Sequence, residues 1–170
     1  FFLLLVTGLH EDIQCRASIS LARAHFEAGN LEEAKEEAKR CLVTAIKLNV
    51  LPVNLRGVEL LGDIQYAEKN FEKADDYYSK ALGISAIGGK LDNSQWYNKA
   101  CLTEKRGNVA RTTKQFKKAI ELYMEAATCF KTCKNKTRAF NCISILRDME
   151  GEVAHDKQAN LMRRGAVRMA

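Results

Sequence analysis

The stretch KNFEKADDYYSKALGI, residues 69–84, has two counterparts in the same chain: GNLEEAKEEAKRCLVT at 29–44 and KQFKKAIELYMEAATC at 114–129. Each copy carries an apolar residue third, an alanine sixth and a small apolar residue or cysteine thirteenth, with charges between. Offsets of three, four and seven put side chains on one face of an α-helix, so each copy reads as an amphipathic helix. Aligning Ala34, Ala74 and Ala119 sets the copies 40 and 45 residues apart. Twelve residues earlier stand Ala22, Gly62 and Gly107; four later stand Ala38, Tyr78 and Tyr123; seven later stand Cys41, Ala81 and Ala126. Small residues let two antiparallel helices cross closely, while Leu31, Phe71 and Phe116 fill the space toward the next hairpin.

The rest of the chain keeps the same period. Ile19, Ala22 and Phe26 fall at i, i+3 and i+7. Strand-like alternation is nowhere sustained, and one proline and ten glycines leave few breakers. Helices are expected at 11–28, 31–48, 54–68, 71–87, 94–112, 115–132, 136–149 and 153–168. That makes about four hairpins in one array over residues 1–170, with repeats at 11–50, 54–90 and 94–132 and a degenerate one at 136–168. Gly29-Asn30 and Lys69-Asn70 end one helix and start another, and Asn30 with Glu33 has the spacing of a capping box. Pro52 is expected to stop the second helix and Gly88-Gly89 the fourth, with Asn93-Ser94 capping the fifth.

Composition narrows the class. Six cysteines, Cys15, Cys41, Cys101, Cys129, Cys133 and Cys142, are scattered rather than densely spaced as in a small secreted disulfide scaffold, which points to a reducing cytoplasm or nucleus. No run approaches the roughly 20 apolar residues of a membrane span. The opening FFLLLV has no basic residue before it and no longer apolar core after it, unlike a secretory leader. It reads as the tail of an earlier element, so a piece of a larger chain is expected, with this apolar patch covered by more chain or a partner. Of the net charge of +6, residues 1–100 hold 12 Lys/Arg against 14 Asp/Glu and residues 101–170 hold 15 against 7. An acidic partner would prefer the C-terminal part.

The aligned positions, best seen in Leu61-Gly62, Phe71, Ala74, Tyr78 and Ala81, resemble the tetratricopeptide repeat. The long spacing is similar to that of kinesin light chains and of the spindle-orientation adaptors rich in Leu-Gly-Asn, and Arg106-Gly107-Asn108 partly matches that tripeptide. The resemblance implies an all-α, right-handed α-solenoid of antiparallel hairpins. It also implies a non-enzymatic scaffold without cofactor or metal, which holds partner peptides or helices in a concave groove lined by the first helix of each hairpin. Carried onto this chain, the groove would present Arg16, Arg23 and Glu27, then Arg56, Glu59 and Asp63, then Glu104, Asn108 and Arg111. Arginine can fork onto a carboxylate and asparagine can bond a peptide backbone both ways. The positions at which chaperone-binding relatives clamp a C-terminal carboxylate hold Ile19, Arg23, Leu60, Cys101 and Lys105, three of them apolar or thiol, which disfavours a chaperone tail.

Other chemistries compete less well. Cys129, Cys133, Cys142 and His155 could supply four zinc ligands, but mid-helix spacing differs from the tight knuckle pairs of structural zinc, and cysteine also suits helix crossings as a small hydrophobe. Lys105, Arg106, Arg111, Lys114, Lys117 and Lys118 form a basic cluster, with Lys131, Lys134, Lys136 and Arg138 another. Phosphate attraction needs little more than charge, yet no RNA-reading motif accompanies them and the nearby aromatics serve the repeat. His10, His25 and His155 lack a nucleophile-and-acid constellation, and no phosphate-cradling glycine loop occurs. A subunit that uses only its ends or convex face in a large assembly is the remaining alternative to a groove binder.

Overall fold

The computed structural model describes the backbone of residues 2–87 and 91–168 and the side chains of residues 10–87, 91–151 and 153. Among the described residues every regular element is a helix: α1 (Phe2–Glu27), α2 (Leu31–Lys47), α3 (Leu51–Ala67), α4 (Phe71–Ser85), α5 (Asn93–Thr112), α6 (Phe116–Thr132) and α7 (Lys136–Arg168). Within α1–α4 and within α5–α7, helices adjacent in sequence pack together, as in an all-α helical-repeat fold of the solenoid kind. The chain divides into two compact units, Phe1–Leu91 and Asp92–Ala170.

One turn, used five times, makes the hairpins. Gly29, Asn49, Lys69, Lys114 and Lys134 all have left-handed φ values, between 54° and 84°. After each, the next amide reaches back five residues: Asn30 N to His25 O, Val50 N to Ala45 O, Asn70 N to Gln65 O, Gln115 N to Ala110 O and Asn135 N to Phe130 O, at 2.8–2.9 Å. The left-handed residue itself donates three residues back, as in Lys69 N to Tyr66 O at 3.0 Å. This pair of bonds satisfies the last carbonyls of one helix and turns the chain into the next. Three of the five left-handed positions are lysine, where a side chain costs what glycine avoids. Lys69→Gly, at φ 63°, is expected to raise stability by about 1 kcal/mol, read as a higher urea midpoint.

In the first unit, hairpin α1/α2 stacks on hairpin α3/α4, with α2 against α3 and α1 reaching α3. The positions aligned from the sequence are the buried ones: Ala22, Ala34, Ala38, Ala74 and Ala81 are fully enclosed, with Cys41, Leu60, Leu61, Ile64 and Tyr78 around them. Lys35 Nζ on α2 meets Glu68 Oε1 at the end of α3 at 2.9 Å, and Glu68 also accepts from Gln65 at 2.6 Å and Asn70 at 3.1 Å. The Lys35 ammonium beside it holds the Glu68 carboxyl below its ordinary range. In the second unit α5, α6 and α7 bury Ala100, Ala110, Ala119, Tyr123, Ala126, Phe130, Cys142 and Met149.

Several boundaries differ from expectation for local reasons. The break at 149–153 is absent and α7 is one helix from Lys136 to Arg168, so no fourth hairpin forms there. Gly151 alone costs a helix only about 1 kcal/mol, and neither a proline nor a cap accompanies it. Pro52 lies in the first turn of α3, where a missing N–H has no helical partner to lose, so α3 starts at Leu51 rather than 54. Asn30 makes no side-chain cap bond and the box with Glu33 is not formed; the backbone turn already serves the end. The capping box instead belongs to Asp92, one residue before the expected Asn93-Ser94. Asp92 Oδ1 accepts from Gln95 N at 2.8 Å while Gln95 Oε1 accepts from Asp92 N at 2.9 Å. Gly88-Gly89, and the side chains of FFLLLV, lie outside the described residues.

Candidate functional site

In the first unit the repeat brings α1 and α3 side by side, because each leads its hairpin. Arg23 on α1 places Nη1 2.8 Å from Asp63 Oδ2 on α3. Tyr78 on α4 donates its phenol to the other oxygen, Asp63 Oδ1, at 2.9 Å. Asp63 therefore ties three helices, and both its oxygens are engaged. Burial and the adjoining carboxylate keep the Tyr78 phenol protonated far above its ordinary range. The Arg23 guanidinium also lies over the Phe26 ring, 5.7 Å from its centroid. Beside this bridge opens a cleft of about 320 Å³ lined by Ile19, Ser20, Arg23, Arg56, Glu59 and Leu60. Arg56 is exposed and Glu59 half-buried, so one wall offers a cation and an anion three residues apart over an apolar floor.

Arg16 and Glu27 take less part. Both are exposed, and Arg16 Nε is paired with Asp12 one turn back on its own helix at 2.9 Å.

In the second unit Asn108 stands in register with Asp63. Tyr123 of α6 donates to Asn108 Oδ1 at 2.5 Å, across the same 15-residue separation that links Tyr78 to Asp63. Burial pushes the Tyr123 phenol up to about 12, with the nearby Arg111 guanidinium acting the other way. Glu104 accepts from Arg138 of α7 at 2.6 Å, and Arg138 caps the Phe130 ring at 5.1 Å. Arg138 is a partner of the Glu104 position that sequence reasoning assigned only to a basic cluster. Ser20 was also missed as a cleft residue, although its place between Arg16 and Arg23 on one helix face could have shown it.

Ile19 and Leu60, at two of the chaperone-clamp positions, are buried and form part of the apolar cleft wall. Cys133 donates to Phe130 O at 3.4 Å, and Cys129 and Cys142 are buried in the core. Among the described residues no group of three or more His, Cys, Asp or Glu is placed to hold a metal ion; the side chain of His155 lies outside them. None of the described helices is long and apolar enough to cross a membrane.

Stacked helical hairpins with a cleft between their leading helices define a helical-repeat protein. The family model of the tetratricopeptide repeat matches residues 56–87, which covers most of α3, all of α4 and the turn between them. That hairpin is a tetratricopeptide-type repeat, and such repeats mark a protein–protein interaction module of generally non-catalytic kind. No curated protein matches the chain.

Proposed function

We propose that this chain is an intracellular scaffold or adaptor that holds a segment of a partner protein in the groove of its repeats, as part of a larger complex. The observation that carries this reading is the cleft of about 320 Å³ between α1 and α3, whose walls include Arg23, Arg56 and Glu59. Its size suits side chains of a bound segment, its apolar floor offers burial, and its two signs of charge favour a partner of mixed charge. Glu104, Asn108 and Arg111 extend the reading to the second unit, and use of the whole chain as one repeat array belongs to the same proposal.

The test must avoid residues that also hold the fold. Removing Asp63 would orphan the Tyr78 phenol, so loss of binding in that variant would be ambiguous. Arg56→Glu with Glu59→Arg reverses the cleft charges without entering the core. The expected result is a melting curve close to that of the unaltered chain and about tenfold weaker binding of a partner segment, first captured from extract and then titrated as a synthetic peptide. Undiminished binding to the charge-reversed protein would assign the partner to another surface, as expected of a subunit that works through its ends or convex face.

A further inference from the structure

Helices α1 and α2 press two thiols together. Cys15 Sγ lies 3.3 Å from Cys41 Sγ, and the pair is locked reciprocally: Cys15 Sγ approaches Cys41 O at 3.4 Å and Cys41 Sγ approaches Cys15 O at 3.1 Å. Both are buried and both are free thiols. Packing does not demand sulfur at either place. The repeat positions equivalent to Cys41 are Ala81 and Ala126, and the third hairpin has Ala100 in register with Cys15; all three alanines are fully enclosed. A cleft of about 160 Å³, lined among others by Gln14, Cys15, Ser18, Arg40, Cys41 and Thr44, leads to the sulfurs. Since a water takes roughly 30 Å³ of liquid, this admits a small peroxide.

We propose that Cys15 and Cys41 are a redox modification site, closing reversibly into a disulfide that staples the two helices of the first hairpin when hydrogen peroxide is the oxidant. The inference is independent of what the groove binds. Cys15, as thiolate, attacks one peroxide oxygen; the O–O bond breaks, hydroxide leaves and takes up the released proton as water, and Cys15 becomes a sulfenic acid. The Cys41 sulfur then attacks the Cys15 sulfur, the S–O bond breaks, and the hydroxyl leaves as water with the Cys41 proton. Two thiols and one peroxide become one disulfide and two waters, the peroxide taking both electrons. Burial, with the neighbouring Cys15, pushes the Cys41 thiol up to about 12, which disfavours Cys41 as the opening thiolate. The sulfurs must close from 3.3 Å to about 2.05 Å, which a slight approach of two helices already crossing through small residues supplies.

The folded full chain, reduced and then treated with hydrogen peroxide, is expected to yield a linked peptide joining Cys15 to Cys41 in a non-reducing digest. Dithiothreitol should reverse the link, and the melting temperature should rise by about 5 °C or more while it is in place. Cys41→Ala, which reproduces what the other two copies have, should fold and show neither the link nor the rise. Oxidation confined to the more exposed Cys101 and Cys133, with Cys15 and Cys41 still alkylatable after denaturation, would overturn the proposal. So would a link that forms only when peroxide is added to unfolded protein, or one that lowers the melting temperature.

Discussion

Replacing Tyr78 by alanine is expected to lower the stability of the chain by about 4 kcal/mol. The ring is 2% exposed and lies over Gly62, where a Cβ would come within 2.5 Å of its Cε1, so nothing opposite can swing in to fill the space it leaves. Its hydroxyl donates to Asp63, which also accepts from Arg23 at 2.8 Å. The alanine variant therefore combines a cavity with a lost hydrogen bond at a half-buried carboxylate. Tyr78→Phe separates the two terms: the ring stays, and only about 1 to 2 kcal/mol should be lost. Chemical denaturation of the two variants measures both. An alanine variant within about 1 kcal/mol of the parent would mean that Tyr78 is not the core residue of the second repeat.

What could be read in the sequence, and what could not, divides along a physical line. The face that each helix buries follows from residues three, four and seven apart on the same helix, so Ala34, Ala74, Ala119 and their companions were legible, as were five of the helices to within a few residues, whereas α1 begins at Phe2 rather than at 11. Of the residues expected to face a groove, Arg23, Arg56 and Glu59 line one cleft. Contacts between helices were not. The bonds from Tyr78 to Asp63 and from Tyr123 to Asn108 each span 15 residues and exist only because an identical three-residue turn sets the crossing of each hairpin. Residues chosen for display in a groove thus turn out to anchor the second helix as well. Arg138 meets Glu104 for the same reason, through a helix whose placement depends on the turn at Lys134. Boundaries failed where punctuation had two meanings. Proline both ends a helix and suits the first turn of the next, and Pro52 took the second role. A lone glycine permits a break without requiring one, and α7 runs through Gly151.

Gly62→Ala is the second large effect, and its sign depends on Tyr78. In an isolated helix alanine is favoured over glycine by about 1 kcal/mol. Here the added Cβ would meet Tyr78 Cε1 at 2.5 Å and Cδ1 at 2.7 Å, in the body of a buried ring held at its far end by Asp63, so the ring cannot tip away without giving up that bond. Overpacking of this kind costs about 3 kcal/mol, which leaves a net loss of about 2 kcal/mol. Gly107 is the same repeat position in the third hairpin, yet a Cβ there would stand 3.3 Å from the Tyr123 ring, a gap that a shift of a few tenths of an ångström relieves. Gly107→Ala is therefore expected to lie within about 0.5 kcal/mol of the parent, propensity offsetting the squeeze. If contact with the ring is the cause at position 62, it must vanish with the ring. Introduced into Tyr78→Ala, the Gly62→Ala change should cost nothing or stabilise by up to about 1 kcal/mol, a coupling of about 2 to 3 kcal/mol between neighbours in a double-mutant cycle. Additive losses would place the need for glycine in the α3 backbone itself, and the close crossing of helices through small residues would no longer explain why this repeat carries glycine where the first carries Ala22.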